Sequence, residues 1–132
     1  MILLIGCTDE PNESNFLVSI KNESSHSFAI RGFKNNSIVY QEILNNNENG
    51  TSCGYTDENF RGIFVNHCGI DSLVLEFNDN RGYISTYNNS GNFNFSNKRN
   101  PLLPNSGFNI NENTYEFLVT IEDYENAFEL PE

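Results

Sequence analysis

Apolar and polar residues alternate with a period of two along most of this chain. Phe16, Val18 and Ile20 alternate with Leu17, Ser19 and Lys21, and Phe28 and Ile30 alternate with Ala29 and Arg31. Successive strand side chains point to opposite faces, so this pattern predicts strands with one buried face. Lys34-Asn35-Asn36 interrupts the alternation and Ile38-Val39-Tyr40 resumes it, which predicts a β-hairpin with a short turn. Asn45 to Gly50 reads as a longer loop. The clearest hairpin joins Leu73-Val74-Leu75-Glu76-Phe77 to Tyr83-Ile84-Ser85-Thr86-Tyr87 through Asn78-Asp79-Asn80-Arg81-Gly82. Leu73, Leu75 and Phe77 share one face of it.

Asn92 to Phe95 reads as a further short strand, and two prolines make the stretch from Asn97 to Asn105 irregular. Tyr115, Phe117, Val119 and Ile121 then alternate with Glu116, Leu118 and Thr120, which predicts a long final strand. Thr120-Ile121-Glu122-Asp123 resembles a capping sequence, so a helical turn or two is expected from Glu122 to Phe128. Short strands separated by turns every 8–12 residues or so indicate an all-β, antiparallel sandwich or barrel, of which the sandwich is preferred. Its architecture is expected to be immunoglobulin-like. The chain has no Trp to stand between the sheets of an antibody-type domain, so the likeness concerns architecture alone.

Composition agrees with a single modest core. Leu, Ile, Val and Phe make up 37 of 132 residues, above the roughly 20% level that marks disorder. Asn is abundant, at 24 residues. It tolerates left-handed backbone and closes turns with its own side chain, as a loop-rich β protein requires. The net charge of −11 and the scattering of seven basic residues exclude nucleic acid as a partner, because phosphate binding needs clustered Lys and Arg.

The chain opens Met1-Ile2-Leu3-Leu4-Ile5-Gly6-Cys7. A short apolar run, a small residue and a Cys follow the order of an export signal and its cleavage site. Leu4-Ile5-Gly6-Cys7 resembles the lipobox of bacterial lipoproteins. The resemblance implies cleavage before Cys7 and a lipid anchor on it. Residues 1–6 then read as a truncated signal-peptide remnant, 7–15 as the lipidated Cys and a flexible polar tether, and 16–132 as the sandwich domain. Asp9-Glu10 beside the Cys is similar to the surface-export signal of Bacteroidota lipoproteins. With the Asn-rich hairpins and the segment from Tyr115 to Tyr124, these features look like small Bacteroidota envelope lipoproteins of unassigned function. That resemblance implies the outer membrane, on its surface or periplasmic side, and supplies no catalytic residues. Asp71-Ser72-Leu73 resembles the O-glycosylation sequon of the same envelope proteins, which implies modification at Ser72. Without it, Ser72 is a turn residue opening a strand.

Cys53 and Cys68 stand 15 residues apart in a chain read as exported, a context that favours a disulfide. Closing such a loop stabilises by about 3 kcal/mol in the chain-entropy model. Free thiols are one alternative. A zinc site from His26, Cys53, His67 and Cys68 is another, although paired metal-ligand spacing is absent. A thiol nucleophile would need a base nearby, and His67 beside Cys68 would point to the opposite face of a strand. A calcium reading of Asn78 to Gly82 fails for want of the ordered acids of an EF-hand. The 18 acidic residues offer no distinct catalytic pair, and Gly-rich phosphate loops and Gly-x-Ser-x-Gly elbows are absent. No metal, cofactor or catalytic residue is assigned. The expectation is a non-catalytic envelope lipoprotein binding a protein or glycan, with Tyr55, Phe60 or Tyr87 offering exposed aromatic contact. The alternative is a small enzyme or enzyme inhibitor with an unrecognised site.

Overall fold

The structure is a computed structural model, and it describes residues 13–104 and 107–131. The described residues form strands β1 (Ser14–Glu23), β2 (Phe28–Lys34), β3 (Ser37–Leu44) and β4 (Cys53–Asp57), then the helical turn α1 (Val65–Cys68). Strands β5 (Ser72–Phe77), β6 (Arg81–Thr86), β7 (Phe108–Asn111) and β8 (Thr114–Thr120) follow, then α2 (Ile121–Glu125) and β9 (Phe128–Glu129). One sheet has the order β4-β1-β8-β7 and the other β3-β2-β5-β6-β9. The two layers form the expected β-sandwich. Both predicted hairpins are present, β2–β3 and β5–β6. Asn35 and Asn36 close the first with φ of 52° and 69°, the left-handed geometry that a tight hairpin turn demands.

The core lies between the sheets. Val18, Ile20, Phe117 and Val119 from one meet Phe28, Ile30, Leu73, Leu75 and Phe77 from the other. Each large side chain so buried contributes about 1.5–3 kcal/mol. Phe28 and Phe77 meet edge to face at 5.6 Å. Gly82 is required where β6 crosses β5, since a Cβ there would lie 1.8 Å from the Leu75 carbonyl oxygen. At one end of the core Asn22 is fully buried. Its amide donates to the carbonyls of His26 (2.7 Å) and Leu44 (3.1 Å), and its Oδ1 accepts from the Ser24 backbone N–H and hydroxyl. Those bonds tie the end of β1 to the other sheet and remove the cost of an unpaired buried amide.

Several expectations need correction. β1 begins at Ser14, two residues ahead of the anticipated domain start. β1 and β8 pair in parallel, from Leu17 with Thr114 to Glu23 with Thr120, so the sandwich is not wholly antiparallel. Asn92 to Phe95 is not a strand, although the Phe93 carbonyl accepts from the Ile84 N–H at 2.9 Å. β8 is not the final strand. It stops at Thr120, where the predicted capping box forms: the Thr120 side chain accepts from the Asp123 N–H, and the Asp123 carboxylate accepts from the Thr120 N–H. The helix that follows is shorter than expected, and Phe128 belongs to β9 instead.

Candidate functional site

The two sheets do not close against each other along the side where β3 and β4 form their edges. β3 is an edge of one sheet and β4 of the other. Between them lies a cleft of about 410 Å³, within the range of about 300–1,000 Å³ typical of ligand sites. Its depth is aliphatic, from Val18 and Ile20 of β1, Leu73 of β5, and Ile63 and Ile70 flanking α1. Val39 of β3 stands at the mouth. The pairing register shifts between Gly32 and Phe33, leaving Val39 as an extra residue between Tyr40 and Ile38. Such a bulge re-aims a side chain, and Val39 lines the cleft.

A polar knot bridges the mouth. The Tyr40 hydroxyl donates to Glu42 Oε2, and the Glu42 carboxylate also accepts from the Thr51 N–H (2.9 Å) and hydroxyl (3.2 Å). Burial, then the neighbouring Glu42 carboxylate, pushes the Tyr40 phenol well above its ordinary value. The phenol therefore stays protonated and donating. Alternation along β3 explains the arrangement, since Tyr40 and Glu42 lie two residues apart and share a face. Sequence reasoning missed this cleft. Its lining comes from segments far apart in the chain, and the nearest local signal was the unbroken apolar run Ile38-Val39-Tyr40.

The far wall carries the predicted cross-link. Cys53 and Cys68 form a disulfide with a Cα–Cα distance of 5.9 Å, joining β4 to α1 beside the cleft. The thiols are therefore held by each other, neither free nor metal-bound. His67 was expected on a strand but sits in the helical turn α1. There it stacks on Tyr55 with ring centroids 4.7 Å apart, and its Nε2 lies 3.1 Å from Asp57 Oδ2. The His67 hydrogen bond is the main cause holding the Asp57 carboxyl below its ordinary value. His26 is not brought near these groups. It stacks on Tyr124 at 3.6 Å, and its Nδ1 lies 3.1 Å from the Ser24 carbonyl.

The aromatic residues expected at the surface divide. Tyr55 is buried, with its hydroxyl donating to the Gly62 carbonyl at 2.7 Å and accepting from the Arg61 N–H. Phe60 is partly buried against the core and stacks on Tyr115. Tyr87 is exposed. Ser72 is half-buried at the start of β5, paired in register with Phe33 and Thr86. Cys7, the expected lipid attachment, lies outside the described residues. Among the described residues no helix is long and apolar enough to cross a membrane, and no cluster of His, Cys, Asp and Glu is placed to hold a metal ion.

Comparison of the chain with protein families, curated proteins and solved structures finds no match.

Proposed function

We propose that this protein is a non-catalytic binding module of the bacterial cell envelope, anchored through a lipid on Cys7, and that the cleft between β3 and β4 receives its partner. The observation that carries the binding reading is the chemistry of the cleft. Its walls are mainly aliphatic side chains and a disulfide, with Ser19 and Ser52 also lining it, and Tyr40 and Thr51 at its mouth are bonded to Glu42. Such a surface offers contact area and desolvation, and no group in it is poised to take or give a proton to a substrate. Of the two partner chemistries expected, an apolar cleft suits the side chains of a protein better than the hydroxyls of a glycan. The envelope assignment rests on the lipobox resemblance of Leu4-Ile5-Gly6-Cys7.

Complementation of a deletion strain tests the binding reading. Ser52 lines the cleft and is exposed, so Ser52→Trp fills the mouth without entering the core. It is expected to abolish the cellular role at unchanged thermal stability. His26→Ala with His67→Ala is expected to preserve the role. The reverse pattern in folded variants would overturn the proposal in favour of catalysis. Mass spectrometry of the native protein tests the anchor, which requires a mature chain starting at diacylated Cys7.

A further inference from the structure

We infer that the free edge of β3 takes up an extended segment of a partner protein as an additional strand, apolar at alternate positions and flanked by Lys or Arg. This deepens the binding reading above and rests on it. The four sheet edges of the described residues differ in how they are guarded. β4 is held under α1 by the disulfide, β7 has four residues and β9 has two. β3 has eight, and β2 is its strand neighbour on one side alone. Natural sheets blunt such an edge with charged residues, Pro, bulges or cover, and of these β3 carries the bulge at Val39 and the Glu42 carboxylate, which is held by Tyr40 and Thr51. The sequence Ser37-Ile38-Val39-Tyr40-Gln41-Glu42-Ile43-Leu44 has neither Lys nor Pro. It exposes Ile38, Val39 and Ile43 at 52%, 56% and 68%. Past the bulge at Val39 regular backbone runs from Tyr40 to Ile43 with no strand on its outer side, while the Leu44 carbonyl is already held by the Asn22 amide.

Placement of the cleft and charge define the occupant. A strand added to β3 turns alternate side chains inward, at the mouth of the apolar cleft that Val39 and Tyr40 line. The loop after β3 carries Glu48, and at the turn before it stand Asp71 and also Lys34, which is in register with Ser37. Asp71 Oδ2 accepts from the Asn35 N–H in the turn before β3, and Glu48 Oε1 accepts from the Asn45 N–H in the loop after it. Arg31, Arg61, Arg81 and Arg99 are each paired with carboxylates of this chain. The uncompensated charge of a chain at −11 is therefore acidic and calls for a cationic partner. A second copy of the chain would bring the same charge to the same edge.

Short synthetic peptides test this against the intact protein. One alternates Val and Thr between paired lysines, a second replaces the lysines by glutamates, and a third carries a central proline. The readouts are amide hydrogen exchange from Tyr40 to Ile43 and methyl NMR shifts of Val18, Ile70 and Leu73. The lysine peptide is expected to slow β3 exchange and shift the cleft methyls. The glutamate peptide is expected to bind about tenfold more weakly, and the proline peptide to leave β3 exchange unchanged. In the folded Val39→Lys/Ile43→Lys variant the lysine peptide is expected to lose its effect. Shifted methyls with unchanged β3 exchange would overturn strand addition and leave the cleft reading standing. No response at either place to any peptide would overturn both. Equal binding of the lysine and glutamate peptides would overturn the charge assignment. Slowed exchange that grows with protein concentration in the absence of peptide would overturn the choice of partner in favour of self-pairing.

Discussion

Arg99 grips Asp123 with two parallel hydrogen bonds, Nη1 to Oδ1 at 2.7 Å and Nη2 to Oδ2 at 2.9 Å. Asp123 is 2% exposed and also accepts from the Thr120 N–H to cap α2. Arg99 further donates to the Leu118 carbonyl at 2.8 Å and lies over the rings of Phe95 and Phe117. One side chain therefore ties the irregular stretch before β7 to the end of β8. Removing one partner leaves a buried charge unpaired, which costs about 3–5 kcal/mol. Asp123→Ala and Arg99→Ala are each expected to lower stability on that scale in urea unfolding. The double variant should lose less than the sum of the two.

The Cys53–Cys68 bond closes a loop of 15 residues. Its removal in Cys53→Ala/Cys68→Ala is expected to cost about 3 kcal/mol at equilibrium. Because the bond holds α1 against β4, methyl resonances of Ile63 and Ile70 should broaden in the folded variant. Sharp, unshifted methyls would mean that the disulfide does not shape the cleft wall.

Burial, followed by the Asp123 carboxylate, pushes the Tyr83 phenol up to about 12. In the unfolded chain it ionises near its usual value of about 10. The folded state thus keeps a proton that the unfolded state releases, and stability falls as pH rises from about 10 to about 12. Below that window the contribution is fully present. Tyr83→Phe should remove a late step from the tyrosinate absorbance titration and flatten the loss of stability with pH. It also deletes the bond from Tyr83 to the Asp123 carbonyl (2.7 Å), at a cost of about 1 kcal/mol near neutrality.

Asp57 is held below its ordinary value first by the hydrogen bond from His67. A depressed carboxylate contributes stability above its ordinary value and loses it as pH falls through the folded one. His67→Ala is expected to move the Asp57 titration upward, read from its side-chain carbon resonance. An unmoved Asp57 would assign the depression to the backbone N–H groups of Glu58 and Asn59 instead.

Local structure was legible in the sequence because its causes are local. Asn35-Asn36 and Asn78-Asp79-Asn80 announce turns by their tolerance of positive φ, and Leu73, Leu75 and Phe77 announce a buried face by their spacing. Thr120 and Asp123 mark a helix start because the capping box is a contact three residues long. The disulfide followed from spacing and an inferred oxidising compartment. The four residues of α1 were missed, since one turn is too short for a helical period. Tyr55 and Phe60 read as surface aromatics because neither shows which neighbours cover it. Beyond the apolar run Ile38-Val39-Tyr40 the cleft has no local signal, being built from β1, β3, β4, β5 and the flanks of α1.

The parallel register of β1 with β8 orders events in time. β1 is hydrogen-bonded from Leu17 to Glu23 by residues that follow it by almost a hundred positions, Thr114 to Thr120. Closing so long a loop has to precede any reward from the pairing, and long-range pairings are slow to form. The β2–β3 and β5–β6 hairpins need no such wait. Strands β3-β2-β5-β6 can thus take shape before β1 and β8 meet. In the other sheet β4 can pair with β1 early, but the far side of β1 stays unmated until β8 reaches it, and that interval is when this protein is most exposed to aggregation.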